Sequence, residues 1–487
     1  MLPYTTLINV DRASSVPLYI QVCNAFIALI TAGTLKPSDL LPSTRNLALL
    51  LGINRNTVKL AYEELISQGW TESIARKGVY VLSTLPSLSK KNTNSITVKA
   101  SNQEAFKWNN KFKNVPLGKN FQKTNLAIDD GFPDVRLAPI DELMREYRSI
   151  SKKFYGRNYL KYGSPKGSEH LRDALSKYLS TTRGLNASVD DLLITKGSQM
   201  GIYLAAQLLL EPGDTIAVGV SNYPTADETF KQAGARLLRI PIDQYGMDVD
   251  FLENKLKKQT IKAVYIIPHH HSPTTVTLSM ERRLKFLQLA KEYQFAIIED
   301  DYDFDFHYAN KPYLPLASID HNQNVIYIGS ITKTFAPALR IGFMSGPPSF
   351  IHAATALREL IDRQGDTPLE EAFALLFNQG EMNRYYRKAL KIYKERRDLF
   401  CGLLKANFAN EITFKVPEGG LAIWAIFDPN LDLIQLAEKA LKQGVYMDNG
   451  LFYKNEVFST NGIRMGFASL DEKEMTEACA ILKKVIH

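Results

Sequence analysis

NVIYIGSITKTFAPALRIG, residues 324–342, is the stretch that decides the fold. Val325 to Ile328 form a continuous apolar run with no polar alternation, which reads as a strand buried on both faces of a sheet. Ser330, Lys333 and Arg340 follow it directly. A lysine at the end of a buried strand is desolvated, which suits its amine to attack a carbonyl. Arg340, seven residues on, offers the forked guanidinium that grips a phosphate dianion in two places. Ser330 adds a hydroxyl donor. Thirty-three residues before the lysine, a second such strand, FAIIED (295–300), ends in Asp300, with Tyr302 two residues later. Taken singly, a lysine is nearly always a surface charge, and an aspartate after a strand is often a helix cap. Their order along two strands is the specific signal.

Working outward, DLLIT (191–195), DTIAVGV (214–220) and AVYIIP (263–268) are further apolar runs separated by helical stretches. The alternation predicts an α/β body over 127–487 with a mostly parallel sheet and its ligand at the carboxyl ends of the strands. Beyond about residue 365, long helices precede FKVPEGGLAIWAIF (414–427) and NGIRMGFASL (461–470), which read as a smaller α/β subdomain. The charged groups at the strand ends suit pyridoxal 5'-phosphate (PLP). Lys333 would bind the aldehyde and Asp300 would keep the pyridine nitrogen protonated. Tyr302 would meet the phenolic oxygen, and Ser330 and Arg340 the phosphate.

Over most of 127–487 the sequence resembles the fold-type-I aminotransferases. YGSPKGSEHLRDALSKYLSTTRG (162–184), DLLITKGSQMGIYLAAQLLLEPGDTIAV (191–218), SNYP around Tyr223, PEGGLAIW (417–424) and IRMGFA (463–468) carry the likeness. It implies that Gly197, Ser198 and Gln199 present donors to the phosphate at a helix N-terminus, which favours an anion in any case. It further implies that Tyr223 stacks on the cofactor ring, that Arg464 binds an effector carboxylate, and that Tyr162 reaches a partner subunit's phosphate. One departure stands out. Those enzymes carry N-P-x-N-P-T-G where this chain has IIPHHHSPTTVT (266–277), so Ser272 replaces the asparagine of the ring oxygen. That weakens the expectation of efficient transamination more than that of PLP binding. It also brings His270 and His271 toward the cofactor. Adjacent side chains of an extended segment point to opposite faces, so the histidines are not read as a metal site.

The N-terminal region, 14–83, reads as helices closed by a hairpin. VPLYIQVCNAFIALITAG (16–33) has helical apolar spacing and ends at Gly33. Ser43 caps a helix ending at Gly52, and a second follows with Val58, Ala61, Tyr62 and Leu65 inward and Gly69 at its end. Two helices across so short a turn make a helix-turn-helix. Arg55, Asn56, Thr57 and Lys59 then lie where a recognition helix meets base edges. Ser43 and Arg45 are placed for backbone phosphates, and Arg76 and Lys77 tip the following hairpin. A small helical domain with solvated charged faces is the plainer alternative. The run from Gly33 through Leu35, Pro37, Leu41, Pro42, Ser43 and Arg45 to Arg55, Thr57, Val58, Ala61, Leu65 and Gly69 resembles the winged helix-turn-helix of the GntR regulators.

The formal charge of +8 is concentrated: residues 84–126 hold 8 lysines and one acid, Glu104. This segment reads as a basic linker, as readily solvated as bound to nucleic acid. Phe106, Trp108 and Phe112 argue that part of it packs. No apolar run reaches the roughly 18 residues of a membrane span. The start lacks a secretory pattern, and three scattered cysteines fit a reducing cytoplasm. Reader, linker and body in this order resemble the MocR/GabR subfamily of regulators. The resemblance implies a cytoplasmic head-to-tail homodimer on double-stranded DNA, sensing a small amino compound by aldimine exchange at Lys333. Half-transamination is compatible with it, and a metabolic aminotransferase with an accessory helical module is the competing reading.

Overall fold

The computed structural model describes residues 2–84, 126–152, 155–308, 313–320 and 323–486. The chain divides into two compact units, Met1–Phe112 and Lys113–His487. The expected linker, with Phe106, Trp108 and Phe112, falls almost wholly outside the described residues.

In the first unit a single-turn helix α1 (Tyr4–Leu7) precedes α2 (Leu18–Thr31), α3 (Thr44–Leu51) and α4 (Arg55–Ser67). Ser43 Oγ accepts from Asn46 N at 3.2 Å, and Asn54 Oδ1 accepts from Asn56 N at 2.8 Å, so both helices of the pair start at a side-chain cap. Between them Gly52 has φ 62, a left-handed conformation that glycine adopts without a Cβ penalty. Val58, Ala61, Tyr62 and Leu65 are buried against Val22, Cys23, Phe26 and Leu47. The Tyr62 hydroxyl reaches back to donate to Pro42 O at 2.8 Å, tying α4 to the start of α3. Strands β1 (Thr71–Ile74) and β2 (Gly78–Val81) pair antiparallel to form the wing. Leu65→Ala leaves a cavity in a small core and is expected to cost about 2–5 kcal/mol. In the full chain, hydrogen exchange should accelerate across 18–81 while the strands of the second unit keep their protection.

The second unit opens with β3 (Leu126–Ile128). Its sheet strands are β4 (Leu192–Thr195), β5 (Thr215–Gly219) and β6 (Arg236–Ile240). After a small hairpin, β7 (Ile242–Asp243) and β8 (Gly246–Met247), come β9 (Ala263–Ile266), β10 (Ala296–Asp301), β11 (Val325–Ser330) and β12 (Gly342–Ser345). The seven-stranded order is β4-β12-β11-β10-β9-β5-β6. Only β12 opposes its neighbours, β11 and β4. Alternate residues explain the unbroken apolar runs: Ile216, Val218, Tyr265 and Ile298 face one core, Ala217, Val264, Ile266 and Ile297 another. Both faces are covered. A second, antiparallel sheet joins β13 (Ile412–Phe414), β14 (Ala422–Phe427) and β16 (Gly462–Gly466), while β15 (Val445–Met447) runs parallel to β3. Among the described residues no helix is long and apolar enough to cross a membrane.

Two strands of the seven-stranded sheet went unread in the sequence. β6 (RLLRI) is an edge strand with an exposed arginine at its start, and β12 (GFMS) is too short for its period to declare itself.

Candidate cofactor site and nucleic-acid face

A cavity opens where β4, β10 and β11 end. Its wall includes Ser198, Gln199, Tyr223, Asp300, Tyr302, Ser330, Lys333, Arg340 and Arg464, nine of the residues singled out in the sequence. Lys333 sits in the turn after β11, where its backbone N–H donates to Ser330 Oγ at 3.1 Å. Its Nζ lies 4.4 Å from the centre of the Phe132 ring and 5.7 Å from that of Tyr302. Burial lowers the pKa of this amine, and Asp130 is the leading charge that opposes the shift. The nitrogen is thereby brought nearer its neutral, nucleophilic form.

Asp300, at the end of β10, is buried. The Tyr265 hydroxyl donates to its Oδ2 at 2.7 Å, while Oδ1 has no hydrogen-bond partner among the described residues. Burial pushes its pKa up to about 7 against the lowering effect of Tyr265. A carboxyl whose folded pKa lies above its unfolded one holds its proton more tightly when folded. Its ionisation therefore costs stability as pH rises from about 4 to about 7. Glu299 and Glu370 shift the same way, also to about 7, whereas His271 and His307 shift oppositely, to about 3 and about 4. Thermal melts of the cofactor-free chain and of Asp300→Asn isolate the one group. The native chain should lose ground to the variant as pH rises through that window.

Gly197 caps the helix Ser198–Leu209 with φ 78. The positive φ is what calls for glycine, and a Cβ there would also lie 2.7 Å from Arg340 Nη2, so the guanidinium would have to shift to admit one. Arg340 Nη2 donates to Lys196 O at 3.0 Å. The N–H groups of this first turn and the Arg340 side chain converge on one anion-favouring corner. Gln199 Nε2 donates to Thr229 Oγ1 at 2.9 Å and its Oε1 is buried without a partner. Tyr223 precedes the helix Pro224–Gln232 and lines the cavity.

Arg464 enters from β16, 3% exposed. Its Nε donates to Asp130 O at 3.1 Å and its Nη2 to the Tyr302 hydroxyl at 3.1 Å, while Nη1 has no partner. The Tyr302 hydroxyl in turn donates to His270 O at 2.9 Å. Asp130, Phe132 and Pro337 also line the cavity and were missed; IDDGFPD (128–134) carries no local pattern that points toward Lys333.

The histidines turn away from this cavity. His270 Nδ1 lies 2.7 Å from Asp303 Oδ1, His271 Nδ1 lies 2.8 Å from Thr274 Oγ1, and His269 Nε2 lies 2.7 Å from Tyr313 O. His270 and His271, expected near the cofactor, stand behind the wall: Ile267 and Ser272 are the residues of this segment that line the cavity, and Tyr302 of the wall reaches the His270 carbonyl. Among the described residues no group of three or more His, Cys, Asp or Glu assembles for a metal. Tyr162 is 77% exposed, with the Arg363 guanidinium 4.0 Å over its ring, and stands outside its own chain's cavity.

In the first unit Arg55, Asn56 and Thr57 make the first turn of α4, and Lys59 follows, 3.5 Å from Glu63. Arg45, Arg55, Asn56 and Lys59 are exposed. Arg55 Nε donates to Thr44 Oγ1 at 3.3 Å, which braces the guanidinium against α3. Ser43 Oγ is spent as an acceptor at the cap, so its hydroxyl proton is what remains for a phosphate. Arg76 and Lys77 are exposed at the wing tip, with Arg76 at φ 64.

Comparison with known proteins agrees with both units. The profile for aminotransferase class I and II matches residues 123–482, and that for bacterial regulatory proteins of the gntR family matches 18–81. The probable rhizopine catabolism regulatory protein MocR of Rhizobium meliloti is 27% identical, over 98% of this chain and 95% of its own. The HTH-type transcriptional regulator TauR of Rhodobacter capsulatus is 27% identical, over 94% of each. A crystal structure of Pyrococcus horikoshii kynurenine aminotransferase superposes with a TM-score of 0.69 at 29% identity, covering 75% of this chain and 91% of that one. The fold-type-I aminotransferase domain is a PLP-dependent one. The chain belongs to the aminotransferase class I and II family and, with its gntR-type reader in front, is a transcription regulator of the MocR kind.

Proposed function

We propose that this regulator binds double-stranded DNA through residues 14–83, senses a small amino compound at PLP held by the body at 127–487, and acts as a head-to-tail homodimer across the linker 84–126. The observation that carries the sensing is Asp300 Oδ1, buried without a partner in the wall that Lys333 Nζ faces. A protonated pyridine nitrogen is the donor this carboxyl lacks. The residues therefore fit PLP. Asp300 would hold the ring nitrogen, Tyr223 the ring face, Tyr302 and Ser272 the phenolic oxygen. Ser198, Gln199, Ser330 and Arg340 would hold the phosphate, joined by Tyr162 of the partner subunit. When bound, PLP supplies an aldehyde that condenses with amines. Lys333, whose amine lines the cavity, would hold it at rest and would be the group an effector amine displaces. Arg464 reads an effector carboxylate and, through Tyr302, ties the second sheet to the end of β10. A ligand that favours one setting of these contacts shifts the conformational population, and by linkage its affinity and that of the operator depend on each other.

The test uses the full chain supplemented with PLP. We expect a visible absorption band, borohydride labelling at Lys333, and a band shift with some amine that also changes affinity for DNA beside its own gene. A colourless, unlabelled protein overturns the reading. The complete set of Lys333, Asp300, Tyr302, Arg340 and Arg464 also favours a turnover aminotransferase with an accessory module. That reading requires multiple-turnover keto-acid formation and no sequence-selective, salt-sensitive DNA binding.

A further inference from the structure

We propose that Asp130 selects the effector, and that the effector is a small amino acid carrying a second ammonium group; this rests on the reading of the cavity as an amine sensor. Once ring, aldehyde and phosphate are assigned, two charged side chains remain among the described residues of the wall, Arg464 and Asp130. They face one another. Arg464 Nε lies 3.5 Å from Asp130 Oδ1, and the Tyr453 hydroxyl donates to that same oxygen. The Asp130 side chain keeps 35% exposure where Arg464 keeps 3%. Arg464 still has Nη1 buried and unpartnered, so a carboxylate has a donor waiting for it.

A plain monoamino acid cannot use that donor freely. Its carboxylate at Arg464 would enter the field of Asp130, and two anions a few ångströms apart repel one another beside the buried guanidinium. A second ammonium on the side chain reverses the sign of that encounter, since Asp130 then becomes a charge-assisted acceptor. The acid works by rejecting one class as well as by attracting the other. Asp130 also acts on Lys333, opposing the loss of its charge by burial, which places it in the field of the reacting nitrogen.

The experiment titrates PLP-loaded full-length protein, normalised by its visible band, with chain-matched pairs: ornithine against norvaline, and lysine against norleucine. Half-saturation of the band shift should be lower by about tenfold or more for the diamino member of at least one pair. Asp130→Asn should bring the members of that pair to within about twofold, and Asp130→Glu should restore the preference. A response to the monoamino acids equal to or stronger than that to their diamino partners overturns the proposal and leaves amine sensing standing. So does a preference that survives in Asp130→Asn. A present band that neither class moves also overturns the proposal, whereas a colourless, unlabelled protein overturns the sensing reading itself.

Discussion

Lys333→Ala is expected to yield a protein that borohydride no longer labels and whose spectrum no amine shifts, while its affinity for DNA without effector stays within about twofold of the native value. The size of the first effect follows from covalency. Arg340, the Ser198–Leu209 helix start and Asp300 would hold a cofactor only by charge and hydrogen bonds, whereas Lys333 is, among the described residues, the side-chain amine in the wall that could bond its aldehyde. Removing it also removes the group that an effector must displace, so any remaining spectral response would show that the signal is read elsewhere. The second effect follows from the separation of the chain into two compact units, each with its own core. Borohydride reduction followed by peptide mapping, with DNA binding measured in parallel, checks both halves. A variant that loses DNA binding along with the label would count against the division of labour.

Arg55→Ala should do the reverse. Arg55 opens α4, is exposed, and is braced through Thr44, so its fork is presented with little freedom to lose on binding. A bidentate contact from such an arginine to a base edge is worth about 1–3 kcal/mol of discrimination. Loss of operator affinity by about ten- to a hundredfold is therefore expected, with a smaller change on unrelated DNA and an unaltered visible band. Arg45→Ala should instead weaken all sequences alike and reduce the salt slope by about 1, the mark of a phosphate contact. If Arg55→Ala weakens operator and unrelated DNA equally, α4 holds the backbone and base reading lies elsewhere.

How much of this was readable beforehand differs between the two units. In the first, the capping residue Ser43, the turn glycine Gly52 and the inward stripe of α4 lie within a few turns of one another, so local rules place them. In the second, the buried runs that became β4, β5, β9, β10 and β11 were plain, as were Asp300, Lys333 and Arg340 at or just past strand ends. The reversal of β12 and the pairing of β3 with β15 were not. Each depends on a pairing between segments far apart in the chain, β12 with β4 and β3 with β15, and only packing of the whole body decides which edge is free. The histidine run shows the same limit, for the rings of His269 and His270 meet partners on another segment, Tyr313 O and Asp303.

By itself the sequence determined the kinds of element, the order of reader and body, and the chemistry offered at the ends of β10 and β11, because caps, periodicity and residue spacing act over short distances. The tertiary structure alone decided that Asp130 confronts Arg464, that Asp300 keeps one oxygen unanswered above Tyr265, and that Tyr302 links Arg464 to the main sheet. Those relations depend on which side chains are driven together when water is expelled from between distant segments, and no local pattern encodes the outcome.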